Sequence, residues 1–130
     1  MEHRFKKHFS PKEALDTLPL IKRIVTDILN LSHEIRTLAT MLGEDAREHP
    51  QLQEMLDEIQ GYFEEMEEVG CYYKDWGFSI GLVDFPAIID GQEVFLCWRS
   101  DEEDIFYYHE IEAGFVGRKP IPPEYFSEPS

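Results

Sequence analysis

The apolar positions of the chain form two long helical stripes and then change period. Leu18, Ile21, Val25, Ile28, Ser32, Ile35, Ala39 and Leu42 recur at three- and four-residue spacing, and Ile24, Leu31 and Leu38 widen the stripe. This predicts a helix ending at Gly43. Its start is written in Ser10-Pro11-Lys12-Glu13: the hydroxyl can accept from the amide three residues on, proline suits the first helical position, and Glu13 can reach back to the Ser10 amide. Pro19 falls inside the stripe. It lacks an N–H and crowds the carbonyl of Leu15, so a kink or restart is expected there. Leu52, Met55, Leu56, Ile59, Tyr62, Phe63, Met66 and Val69 make the second stripe, between Pro50 and Gly70. The short polar connection makes the two helices antiparallel neighbours.

Beyond Cys71 the period falls to two. Residues 82–89 and 92–99 flank Asp90-Gly91, a dipeptide suited to a type I′ hairpin turn. Such a turn fixes the register: Ile89 faces Gln92, Ala87 faces Val94, Phe85 faces Leu96 and Val83 faces Trp98. This side is almost wholly apolar and should lie on the helices. The other side is mixed and gathers Asp84, Cys97 and Arg99. Pro86 cannot donate to a ladder, so its strand is expected at an edge or bulged. A third strand is expected over 105–112. A four-residue loop before it would turn Ile105, Tyr107, His109 and Ile111 to the helices and leave Phe106, Tyr108, Glu110 and Glu112 on the mixed side; a five-residue loop would swap the faces. The first is preferred because it buries two isoleucines.

The predicted fold class is α+β, with a long antiparallel helical hairpin packed on a small three-stranded antiparallel sheet. The whole chain, 1–130, reads as a single domain: hairpin 10–70, sheet 78–112, and an irregular Pro/Gly tail 113–130. Residues 1–9 read as a loose basic arm.

Charge narrows the partners. Twelve Lys and Arg against 27 Asp and Glu give a net charge of −15, which repels phosphate backbones and anionic membrane surfaces, so neither nucleic acid nor membrane is an expected partner. The acidic residues concentrate on the second helix, and no Lys or Arg lies between Arg47 and Lys74. That face reads as solvated. The two cysteines, Cys71 and Cys97, stand outside any zinc-type spacing, no apolar run has the length of a membrane span, and the N-terminus lacks a signal-type apolar stretch. A reduced, cytoplasmic protein is expected.

The candidate chemistry is one polar cluster: Asp84, Cys97, Arg99, Glu110 and Arg118. Asp84 is expected as a carboxylate paired with Arg99 or Arg118, the cluster being roofed by the tail or by a second subunit. The sharper alternative is a small metal-dependent enzyme in which Asp84 and Glu110 hold a divalent cation or do acid–base work. His109 is expected as a core histidine with one hydrogen bond, beneath the helices. Cys97 as a nucleophile would need His109, which the preferred register puts on the opposite face. No cofactor is implied. An aromatic outer face with Phe95, Phe106 and Tyr108 argues for a homodimer, and a different protein partner is the other possibility.

Gly81-Leu82-Val83-Asp84-Phe85-Pro86, Asp90-Gly91, Leu96-Cys97-Trp98-Arg99, Tyr108-His109-Glu110 and Gly117-Arg118-Lys119-Pro120, with Phe9-Ser10-Pro11-Lys12-Glu13-Ala14 and Leu18-Pro19 at the start, resemble a bacterial family of uncharacterised proteins, domain-of-unknown-function family 2203. The resemblance covers nearly the whole chain and departs from the pattern at Phe106 and Tyr108. It implies no established activity. The function expected is that of a non-enzymatic structural or interaction module acting as a homo-oligomer.

Overall fold

A computed structural model describes residues 4–76 and 80–126. Helix α1 spans Pro11–Leu42 and α2 spans Pro50–Val69, joined by a 3-10 helix over Gly43–Glu48. The capping box at Ser10 forms as expected: the Ser10 hydroxyl accepts from Glu13 N at 3.1 Å, and Ser10 N donates to Glu13 Oε1 at 2.9 Å. Against expectation, α1 does not restart at Pro19; the helix runs through it. Gly70 closes α2 at φ 113°, where a side chain would be strained and a Cβ would meet Lys7.

The sheet has five strands rather than three: β1 (Tyr72–Trp76), β2 (Ile80–Ile89), β3 (Gln92–Arg99), β4 (Tyr107–Glu110) and β5 (Lys119–Pro120), in sequential antiparallel order. The architecture is α+β. The expected beginning of the sheet at 78 and the tail beyond 126 lie outside the described residues. The two added strands come from the segment between the hairpin and the expected sheet, and from the tail read as irregular.

Asp90 (φ 52°) and Gly91 (φ 78°) make the tight turn, and β2 pairs with β3 in the expected register, Ile89 with Gln92 through Leu82 with Arg99. That register explains Pro86. In a two-residue hairpin the groups of residues 82, 84, 86 and 88 point away from β3, toward β1. β1 ends at the pair Tyr72–Asp84, so nothing in it requires a donor from residue 86. The Pro86 carbonyl instead accepts from Phe9 N at 2.7 Å. The arm is therefore pinned over residues 4–9, and Phe9 is a core residue set edge-on to Phe85.

The helix-facing side holds Val83, Phe85, Ala87, Ile89, Val94, Leu96 and Trp98 against Ala14, Leu18, Ile21, Val25 and Ile28 of α1 and Met66 of α2. Tyr73 lies over Gly81, where a Cβ would come within 2.5 Å of its ring, and stacks on Phe63 of α2. No buried residue of α1 lies beyond Leu31, and 32–42 are half-buried or exposed.

The third-strand register is corrected. β4 pairs Tyr107 with Cys97, Tyr108 with Leu96, His109 with Phe95 and Glu110 with Val94. The register is the one a five-residue loop would give, although the connection itself runs over 100–106, and a slip of one residue swaps every side chain between the faces. Ile105 is still fully buried, but as a loop residue. One of the two isoleucines that argued for the other register thus finds the core without belonging to the strand, and the other, Ile111, lies just past the end of β4 and is half-buried.

Candidate functional site

The swap assembles a cluster that the preferred register would have separated. One row across the outer face reads Tyr72, Asp84, Cys97, Tyr107; the next reads Pro86, Phe95, His109. Asp84 and His109 are each 1% exposed, and they are the buried polar residues among those described. His109 Nε2 lies 3.2 Å from Asp84 Oδ1, and its Nδ1 lies 2.7 Å from the Glu110 carbonyl. A carbonyl only accepts, so Nδ1 carries a proton, and the contact at Nε2 places a second proton between ring and carboxylate. Burial alone would depress the His109 pKa. The hydrogen bonds to Asp84 and to the Glu110 carbonyl, with the Asp84 charge, outweigh it and raise the pKa, against opposition from Lys74.

Lys74 supplies the other charge. Its Nζ is 2.7 Å from Asp84 Oδ2 and 5.1 Å above the Phe95 ring, with the side chain half-exposed. The ammonium makes an ion pair, yet it stands off the directions of a hydrogen bond, and Oδ2 has no hydrogen-bond partner. Cys97 completes the group: Asp84, Cys97 and His109 each present one donor atom, all within 4.8 Å of one another. Burial first, and then the Asp84 charge, push the Cys97 thiol up to about 12. It is a thiol and not a thiolate at neutral pH, so it is no nucleophile as it stands.

The cover of this cluster is the N-terminal arm. Phe5 packs on Tyr72 and on Phe95, with ring centroids 5.4 and 5.2 Å apart. Glu93 fastens the arm, accepting from Arg4 N at 2.9 Å, Phe5 N at 3.0 Å and His8 Nε2 at 2.7 Å. Desolvation opposes ionisation of Glu93, but the His8 bond, the two amides and the His8 charge hold its carboxyl down at about 2.

The single network expected from Asp84, Arg99, Glu110 and Arg118 divides. Arg118 Nη2 donates to both oxygens of Glu102, at 2.7 and 2.8 Å, and to the Cys97 carbonyl at 3.3 Å, while its guanidinium lies 4.2 Å from the Tyr107 ring and 4.6 Å from Phe115. Arg99 grips Asp101 at 2.6 and 2.9 Å, and the Trp98 indole donates to the Glu102 carbonyl at 3.0 Å. These bonds fasten the loop over 100–104 and touch the cluster only at the Cys97 carbonyl, leaving the Asp84 carboxylate to Lys74 and His109. Glu110 pairs with Val94 and so belongs to the helix-facing side, exposed at the sheet margin, with Lys119 at 3.2 Å. A two-carboxylate centre of Asp84 and Glu110 therefore has no geometry. His109 is buried as expected, but on the outer face beside Asp84 and Cys97. Sequence reasoning missed Lys74, Phe5, Glu93 and Glu102. Only Lys74 left a signal, as the first cation after a long acidic stretch and in a run of aromatic strand formers.

A second feature lies on the hairpin. Between α1 and α2 a groove of about 460 Å³ carries Asp27, Glu34, Glu54 and Glu58. It continues at Glu34, Gln51 and Met55 into one of about 340 Å³ walled by Leu38 and Met41. Met41 is 78% exposed and Leu56 is 40% exposed.

A two-layer α+β protein with a buried Asp–His–Cys centre under a fastened arm is the class these features define. The chain belongs to the family described as "Uncharacterized conserved protein (DUF2203)", whose model matches residues 7–121. No curated protein and no solved structure matches. Among the described residues, no helix is long and apolar enough to cross a membrane.

Proposed function

We propose that the chain is a non-enzymatic interaction module whose helical hairpin receives a basic amphipathic helix from a partner protein. The observation that carries it is the groove between α1 and α2, acidic along one stretch and apolar at its far end. From Asp27 to Met41 it runs about 21 Å along α1, the length of a helix of about 14 residues. Two antiparallel helices leave such a groove where a third would complete a bundle, and an amphipathic helix fills it with its apolar stripe. The acids favour a cationic occupant, and the net charge of −15 steers one in. The same acids disfavour a second copy of this chain there. Of the outer sheet face, the other ground for a homodimer, Phe95 lies under Phe5 of the fastened arm, while Phe106 stays half-exposed.

The test uses a synthetic peptide of about 14 residues, matching the groove, with leucines along one helical face and lysines on the other. A scrambled peptide of the same composition is the control. Fluorescence anisotropy should report binding that weakens with salt, is at least tenfold weaker for the scrambled peptide, and is lost in the double variant Glu54→Lys/Glu58→Lys. Equal binding of both peptides, or none at low salt, would overturn the reading. So would a dimer in sedimentation that Met41→Glu or Met55→Glu dissociates, because the occupant would then be a second copy.

A further inference from the structure

We propose that Asp84 Oδ1, Cys97 Sγ and His109 Nε2 form a three-ligand site for a zinc-class divalent ion. It lies on the outer sheet face, apart from the hairpin groove. The donor set fits such an ion: imidazole and thiolate select borderline transition ions, whereas calcium and magnesium take oxygen ligands.

The histidine is prepared for the role. Its Nδ1 is committed to the Glu110 carbonyl at 2.7 Å, and metal-bound histidines hold their outer nitrogen in this way, which fixes the ring and aims the other nitrogen at the ion. The aimed nitrogen stands 3.2 Å from Asp84 Oδ1. In a tetrahedral zinc site, bonds of about 2.0–2.2 Å put nitrogen and oxygen ligands about 3.3 Å apart, and a sulfur at about 2.3 Å stands about 3.5 Å from either. The nitrogen–oxygen edge is already at that spacing. The widest separation in the trio, within 4.8 Å, has to close by about 1 Å, which small side-chain torsions supply.

A second observation is that the same buried carboxylate already faces a cation at its other oxygen. Asp84 is 1% exposed, and its Oδ2 has no hydrogen-bond partner. The charge it faces, Lys74, comes from a half-exposed side chain that can turn out to water. When the ion enters, Lys74 leaves, and the protons of Cys97 Sγ and His109 Nε2 pass to solvent. The carboxylate and thiolate then balance the two charges of the ion, where before the carboxylate faced both the Lys74 ammonium and the proton it shared with His109. Three protein ligands leave a fourth position for water.

The test uses the full chain without a histidine tag, stripped by a chelator, with cobalt(II) and zinc(II) as probes. One equivalent of cobalt should give a thiolate-to-cobalt charge-transfer band with tetrahedral visible absorption, and zinc should abolish it by displacement. Cys97→Ser should lose the band. Asp84→Asn and His109→Gln should weaken binding at least about tenfold, since even outer-shell changes cost that much. Cys71→Ser, whose thiol lies in the helix-facing core, should keep the band. Lys74→Gln retains all three ligands and removes the competing ammonium; it should bind more tightly, and it decides the matter if a ligand variant does not fold. A stripped wild-type chain that gives no thiolate band, a band that survives Cys97→Ser, or weaker binding by Lys74→Gln would each overturn the proposal.

Discussion

The two faces of one sheet are buried by different means. On the helix side, alternate residues of β2 and β3 meet two regular helices, and the contacts are apolar throughout. On the outer side the same strands present Asp84, Cys97 and Phe95, and the cover is the irregular arm with Phe5 above Phe95. Yet Asp84, Cys97 and Phe95 are all buried. A helix covers a face by repeating side chains along its length, so the face beneath must be uniformly apolar. An arm covers by a few fastened residues, and the face beneath can hold a charge if its partners are local. Here they are local: Lys74 on β1 and His109 on β4 flank Asp84 on β2.

The comparison is broken most forcefully from the helix side. Phe85 is fully buried and set edge-on to Phe9. Phe85→Ala should cost about 3–5 kcal/mol in denaturant unfolding, from lost transfer energy and the cavity left behind. A loss under about 1 kcal/mol would mean that the arm and α1 collapse into the gap, and that the helix face is no more rigid than the other.

On the outer face the corresponding change is Asp84→Ala. It should cost less, about 1–3 kcal/mol, because the penalty is an unpaired buried group and not a large void. Lys74 can turn to water and His109 can shed a proton, so the full cost of a stranded buried charge is not reached. A chain as stable as the parent, by the same unfolding measurement, would remove Asp84 from the account of how this face is held.

What the sequence disclosed divides along the same line. The stripes of α1 and α2, the Ser10 cap, and the β2–β3 register were legible, since each follows from a local period or turn. The face of His109 was not, because it depends on one residue of loop length. Ile105 is buried without belonging to the strand and so does not decide it, and the bonds that fasten the loop, from Trp98 and Arg118 to Glu102, end on an acidic loop residue that no period marks. Strand β1 was hidden because Lys74 and Asp75 interrupt its aromatic positions, and β5 because it is two residues long and contains a proline. The arm was read as loose because a lone Phe5 in a basic segment announces no partner.

Phe5→Ala comes next in size. Two tilted ring contacts, each worth about 0.5–1.5 kcal/mol beyond area burial, are lost from a partly exposed position, so a total near 1–2 kcal/mol is expected. The sharper readout is hydrogen exchange. Amides of the outer rim, Tyr72 and Glu93 among them, should exchange faster while those of α1 keep their protection. Faster exchange in α1 to the same degree would show that the two faces open together.

The smallest effect belongs to the fastener itself and appears only in acid. Glu93 is faced by the Arg4 and Phe5 amides and by His8 on the arm, and Arg4 also reaches Glu112 at 3.9 Å near the surface. Its carboxyl is held at about 2 in the folded chain against an ordinary 4.5. A group depressed in this way stabilises the fold above its unfolded pKa, and that contribution fades as the pH falls from about 4.5 through about 2. The arm should therefore stay fastened from neutrality to about pH 4 and loosen below about pH 3, while the helix-facing core remains closed. Carbon-detected NMR of the Glu93 carboxyl gives the midpoint directly, and the exchange of the Phe5 amide follows the arm. Glu93→Gln should loosen the arm at neutral pH and abolish its acid step. A Glu93 midpoint near 4.5, or an arm whose exchange is the same in Glu93→Gln as in the parent, would assign the fastening to the Phe5 rings alone.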